Sequence, residues 1–180
     1  MSDRHPTQRI ATAADTDEMS AVMRSSILDL FPAYYNGQQT ASSAIYVAHV
    51  DDALLADGTY LVHEIDGEIV ACGGWSRRGR LYTGSGEQDG DDRLLDPAIE
   101  AAHVRAMFVR PDWTRRGLGR SILEAGRDAA EAEGFLRLDL MATLAGVPLY
   151  RSFGFVERGH AILTMPDGVT IEAVAMDRDI

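Results

Sequence analysis

The 180-residue chain is 46% hydrophobic and 25% charged, the make-up of a single globular domain long enough to bury its own core. Its net charge of −11 argues against nucleic acid and anionic membranes as main partners. A lone cysteine, Cys72, rules out an internal disulfide and points to a reducing cytoplasm.

The opening "MSDRHPTQRI" lacks the apolar centre of a signal peptide, and no apolar run reaches the about 18 residues of a membrane span. "QRIATA", from Gln8 to Ala13, reads as a short first strand. Asp15 or Thr16 caps a helix to about Leu30, with Met19, Val22, Met23, Ile27 and Leu30 at helical spacing. Pro32 disrupts its end, "FPAYYNG" is a loop, and a second helix is expected over Thr40 to Val50. "TYLVHEIDGEIVACGGW" is a hairpin turned at Asp66-Gly67, with Cys72 in a buried strand as a structural thiol.

Residues 77–98 read as an irregular loop with Gly84, Gly86 and Gly90 and a dense acidic patch of Glu87, Asp89, Asp91, Asp92 and Asp96, a patch relieved only by Arg93. A strand runs from Ala102 through Val109, a helix spans 117–133, and "FLRLDLM" is the next strand. Pro148 suits the first turn of a short helix through Ser152. Two last strands, from about Phe155 and from Val169, meet near Asp167-Gly168. The mixture implies one α/β or α+β domain with a largely covered sheet and no linker or repeat.

All 17 basic residues are arginine, and five of them fall between Arg105 and Arg120. Within that stretch lies "PDWTRRGLGRSIL", where Gly117 and Gly119 open a helix. A helix N-terminus leaves backbone N–H groups free and carries partial positive charge, and glycine lets the backbone approach an anion closely. With Arg115, Arg116 and Arg120 around it, the segment has the make-up of a pyrophosphate cradle; a loop that needs glycine only for its turn fits the motif about equally.

A dinucleotide-binding unit is the rival, with Asp139 near the roughly 20-residue spacing of a ribose-binding acid. Three features weigh against it. Ile122 occupies the third glycine position, seven residues separate Val109 from Gly117, and too little chain follows for the usual further strands. Asp139 then reads as the outward residue of an alternating strand.

"VRPDWTRRGLGRSIL" followed by "LYRSFGF" resembles the GNAT superfamily of acetyl-CoA-dependent N-acetyltransferases. The family loop [QR]-x-x-G-x-[GA] falls on Thr114 to Gly119, and the signature tyrosine falls on Tyr150, before Gly154-Phe155. The resemblance covers Ala101 to Phe155 well and extends to the rest in layout only. Thr114 stands where Gln or Arg is usual, Thr143 where an asparagine is common, and Gly146 where an alanine is.

What the resemblance implies is a mixed, mostly antiparallel sheet of about six to seven strands with helices on both faces. A V-shaped split between strands 4 and 5 would take the pantetheine arm of acetyl-CoA. Met107 and Val109, flanking Phe108, would pair with that arm through their backbones. The amides of Arg115, Arg116, Gly117, Leu118, Gly119 and Arg120 would hold the pyrophosphate, and Thr143 would contribute from the fifth strand. Tyr150 would be the acid that reprotonates the leaving thiolate.

A base is also useful, because an amine with a pKa of about 10.4 is mostly protonated at pH 7 and freeing its lone pair costs about 4–5 kcal/mol. Alternation puts His103, Arg105, Met107 and Val109 on one strand face, opposite Ala102, Val104, Ala106 and Phe108. His103 is the first choice of base, lying six residues before Val109, where related histone-acetylating enzymes place a glutamate; Glu100 is the reserve.

For the acceptor, Phe31, Tyr34, Tyr35 and Trp75 with the acidic 87–96 loop read either as a cation-favouring surface, which suits a small primary amine, or, at least as well, as ordinary packing aromatics beside a solvated loop. No metal is expected, and a homodimer is left open. The alternative to an active enzyme is a non-catalytic acyl-CoA-binding module of the same fold.

Overall fold

Asp66 (φ 51°) and Gly67 (φ 84°) both adopt the left-handed conformation of a two-residue hairpin turn. They join β2 (Tyr60–Ile65) to β3 (Glu68–Ser76), as the sequence predicts. This is a computed structural model, and it describes residues 5–82 and 92–180. Before the hairpin come β1 (Thr7–Ile10), α1 (Thr16–Leu30), α2 (Gly37–Tyr46) and α3 (Asp52–Asp57). After it come β4 (Ala102–Val109), α4 (Leu118–Ala132), β5 (Arg137–Thr143), α5 (Val147–Ser152), β6 (Val156–Thr164) and β7 (Thr170–Asp179).

One seven-stranded sheet runs in the order β1-β2-β3-β4-β5-β7-β6. Every neighbouring pair is antiparallel except β4 and β5. That parallel pair is joined only at Ala102 with Leu138 and His103 with Asp139. Beyond these two rungs the strands part, which opens the split. No helix among the described residues is long and apolar enough to cross a membrane.

The helix expected over Thr40 to Val50 runs earlier, as α2 at Gly37–Tyr46, and a further helix not expected from the sequence, α3, follows at Asp52–Asp57. Asn36 and Gln39 cap α2 reciprocally, at 2.8 Å and 3.0 Å. Asp51 then caps α3 through the amides of Ala53 and Leu54, and Gly58 ends it at φ 68°. On one side of the sheet, Met19, Val22, Met23 and Ile27 of α1 pack with Tyr60, Val62, Ile69, Ile171 and Ala173. On the other, Leu123 and Ala130 of α4 pack with Val104, Leu138, Leu140 and Met176, alongside Val147 and Tyr150 of α5.

Strand β4 does not alternate simply. Cys72 pairs with Phe108 but Gly74 pairs with Arg105, so Ala106 and Met107 together oppose Gly73. This is a β-bulge, and Ala106 takes φ 56° to form it. Gly73 makes room, since a Cβ there would lie 2.2 Å from the Met107 sulfur. The bulge swaps sides halfway along the strand. Ala106 and Phe108 join the α1 core, while Met107 and Val109 pack with Leu118 and Ile122 of α4. The expected common face of His103, Arg105, Met107 and Val109 is therefore broken after Arg105.

Candidate active site

Leu118 and Ile122 pack on Val70 and Ala71 of β3, and so fix the start of α4 beside the diverging end of β4. Gly117 precedes the helix at φ 81° with no side-chain cap, and Arg115 also turns left-handed at φ 63°. The first amides of the helix are thus left without a side-chain acceptor. Gly119 has a second duty, because a Cβ there would lie 2.9 Å from Leu149 of α5. The Arg110 amide donates to Val70 O at 2.8 Å. By strand alternation the backbone groups of Val109 and Met107 then turn to the other side, toward the split.

The arginines do not act as one patch. Arg105 is buried, paired with Asp51 at 3.1 Å and donating to the Arg80 carbonyl at 2.8 Å, so it braces α3 and the 77–82 segment instead of facing an anion. Arg110 is held by Asp112 (2.7 Å) and Glu68 (3.0 Å). Arg116 lies over the Trp113 ring at 4.4 Å, and Arg120 pairs with Glu124 at 3.0 Å. Arg115 is exposed and has no carboxylate partner among the described residues.

His103 is buried, with 8% of its surface exposed, and its Nδ1 bonds Asp139 Oδ1 across the last rung before the split. An ionised carboxylate can only accept, so Nδ1 carries the proton in this bond, and a neutral ring then has its lone pair at Nε2. Nε2 takes no protein partner among the described residues. Asp139, which the residue order alone reads as the outward residue of an alternating strand, is brought to His103 by the register of β4 against β5. The reserve base Glu100 is engaged elsewhere. Arg93, at 2.6 Å, and the Asp96 amide hold its carboxyl down at about 2.

Tyr150 lies in α5, its ring edge-on to Phe155 at 5.8 Å. Burial pushes its hydroxyl above the ordinary value of 10, so the group stays protonated, and no protein group accepts from it among the described residues. Gly146 makes space for the ring; a Cβ there would lie 2.8 Å from Tyr150 Cε2. Thr143 ends β5, and its carbonyl accepts from the Gly146 amide at 2.9 Å.

The proposed aromatic acceptor surface does not assemble. Phe31 and Tyr35 belong to the α1 core, whereas Trp75 is buried across the sheet beside Phe135. The Tyr35 hydroxyl is already used, donating to Glu172 O at 2.7 Å and accepting from the Leu144 amide at 2.8 Å. Only Tyr34 of the four is exposed. Glu87, Asp89 and Asp91 lie outside the described residues, as do Gly84, Gly86 and Gly90. Cys72 is sealed in the core, and burial pushes its thiol up to about 12, which leaves it unreactive at neutral pH.

A family model described as an acetyltransferase (GNAT) domain matches residues 56–157. No curated protein matches the sequence. Among solved structures, the chain is similar to a GCN5-related N-acetyltransferase from Rhodopseudomonas palustris, with TM-score 0.74 and 19% identity over 100% of this chain and 99% of that one. It is similar to the PaiA N-acetyltransferase of Thermoplasma acidophilum in complex with coenzyme A, at TM-score 0.69 and 13% identity over 98% and 100% of the two chains. A phosphinothricin acetyltransferase from Sinorhizobium meliloti in complex with acetyl-CoA matches at TM-score 0.63 and 19% identity, over 98% and 89%.

Proposed function

Because the chain belongs to the GNAT family of acetyltransferases, we propose that it transfers the acetyl group of acetyl-CoA directly to a primary amine of a small molecule. The observation that carries this reading is the parting of β4 from β5 immediately past His103 and Asp139, with the uncapped start of α4 beside the opening. Two of the similar structures hold coenzyme A or acetyl-CoA, which supports the same ligand here.

The residues fit that ligand. The amides of Arg115, Arg116, Gly117, Leu118, Gly119 and Arg120 suit a pyrophosphate, since their helix end is positive and no side chain occupies it. Met107 and Val109, on either side of Phe108, offer backbone groups to an extended arm, and Thr143 stands at the opposite edge of the split. When bound, acetyl-CoA supplies the acyl thioester. His103 takes a proton from the incoming ammonium at Nε2, and Asp139 holds the imidazole in the tautomer that allows it. Tyr150, kept protonated by burial, donates its hydroxyl proton where the thiolate departs. Buried Cys72 and its lack of a disulfide suit a reducing cytoplasm.

The test is calorimetric binding of acetyl-CoA followed by thiol release with a panel of small amines and of peptides with free N-termini. Binding at about 100 times the dissociation constant stabilises the fold by about 2.7 kcal/mol. Turnover is expected with at least one small amine. Binding without turnover on any amine would leave the acyl-CoA-binding module instead, and no binding would remove the coenzyme altogether.

A further inference from the structure

Three guanidinium groups converge on one aromatic ring at the rim between α4 and α5. Phe153, just after α5, has Arg178 at 4.7 Å, Arg120 at 5.4 Å and Arg127 at 5.9 Å from its ring centre. Arg120 and Arg127 stand seven residues apart on α4, so two helical turns bring them to one side. Arg178 comes from β7 and is fixed by donating to the carbonyls of Phe153 and of Asp179 (3.1 Å).

The cluster carries more positive charge than its neighbours cancel. Arg120 has Glu124 at 3.0 Å and Arg127 has Asp128 at 2.7 Å, both on the exposed side of α4. Arg178 has no carboxylate partner among the described residues. Burial, then Arg127, then Arg120 pull its guanidinium below the ordinary 12.5. In a chain of net charge −11, gathering three cations against two carboxylates is a cost that an arriving anion would relieve.

Position names the anion. Arg120 lies in the first turn of α4, beside the amides assigned to the pyrophosphate, so the cluster begins where that site ends. Coenzyme A carries one further phosphate, the monoester on its ribose, joined to the pyrophosphate through the same sugar. We propose that Arg120, Arg127 and Arg178, gathered on Phe153, form a phosphomonoester site that takes the 3′-phosphate of coenzyme A. This rests on the coenzyme reading given above and adds to it a discrimination between coenzymes. A guanidinium fork offers paired donors to phosphate oxygens, and a ring behind it holds the fork in place.

Titration calorimetry at fixed salt with coenzyme A, 3′-dephospho-coenzyme A and inorganic phosphate tests it, on the wild type and on Arg127→Gln and Arg178→Gln. The wild type should bind coenzyme A about tenfold or more tightly than the dephospho form, as expected for a charge-assisted contact. Arg127→Gln should shrink that ratio to about twofold with dephospho-coenzyme A binding unchanged, because one of three cations is gone. Inorganic phosphate, which can also enter the pyrophosphate site, should weaken coenzyme A more than dephospho-coenzyme A. Arg127 is an exposed-face change on α4, so it remains informative if Arg178→Gln, which loses a tie to Phe153, fails to fold. Equal affinity for both coenzymes overturns the proposal and leaves the coenzyme reading standing. Phosphate binding lost in Arg127→Gln, with both coenzymes equal, assigns the site to a separate phosphomonoester and overturns the coenzyme source. Binding of neither coenzyme overturns both readings.

Discussion

The His103 imidazole and the Asp139 carboxylate meet across the final rung of the β4–β5 ladder, one from each strand, at the point where the two strands separate. The hydrogen bond therefore closes the apex of the split and aims the other ring nitrogen, which has no protein partner among the described residues, away from Asp139.

Asp139→Asn should lower kcat about tenfold with the KM for acetyl-CoA unchanged, while Asp139→Glu recovers part of the loss. Asparagine can present its amide nitrogen to Nδ1 and so favour the wrong tautomer. Nitrogen NMR of the His103 ring should follow the change, and an Asp139→Asn enzyme with wild-type kcat would remove Asp139 from the mechanism. His103→Ala should cost about a hundredfold in kcat, the typical contribution of a general base.

Tyr150→Phe should lower kcat by about a hundredfold. It should leave the unfolding midpoint almost unmoved, because the ring keeps its contact with Phe155 and the hydroxyl has no protein partner to lose among the described residues. A large drop in stability with normal turnover would make Tyr150 a packing residue only.

Gly74→Ala should destabilise the fold by about 2 kcal/mol, within the usual range for overpacking. The added Cβ would lie 2.5 Å from the Thr59 carbonyl oxygen, a backbone atom that cannot step aside. Urea unfolding gives the difference directly.

His63 is 4% exposed, and neither ring nitrogen has a protein partner among the described residues. Burial lowers its folded pKa from 6.5, so at mildly acidic pH the unfolded chain binds a proton that the folded chain refuses. The stability it permits is complete above about 6.5 and falls as pH drops through that value toward the folded one, with a slope of at most about 1.4 kcal/mol per pH unit. His63→Leu should flatten the curve of stability between pH 5 and pH 7. Parallel curves for the two proteins would exclude His63 as the acid-sensitive group.

Much of this was legible in residue order because some residue types dictate backbone. Asp66-Gly67 specifies its turn, and apolar spacing from Met19 to Ile27 specifies α1. The break between α2 and α3 was also written in the chain, in the capping pairs Asn36/Gln39 and Asp51 with Gly58, and a search for caps instead of apolar runs finds it. The bulge in β4 carried no such mark. Alanine signals nothing about a positive φ, so Ala106 gave no warning that the strand changes sides. The His103–Asp139 pair was hidden for a different reason: it depends on which strands lie side by side, and 36 positions separate the two residues. The arginine cluster was likewise invisible, since Arg178 reaches Phe153 only once β7 has inserted beside β5.

The split is bordered by strands that are fixed on their far sides. β4 is laddered to β3 and β5 to β7, while residues from both halves of the sheet share the core beneath α1. The gap resembles a missing plank in a floor whose joists are already nailed down. An extended molecule laid into it completes a surface and bends nothing, so the ordering that association normally demands of a protein is done before the guest arrives. Most of the entropy lost on docking then belongs to the flexible guest, and for this fold tighter binders should be stiffer ones.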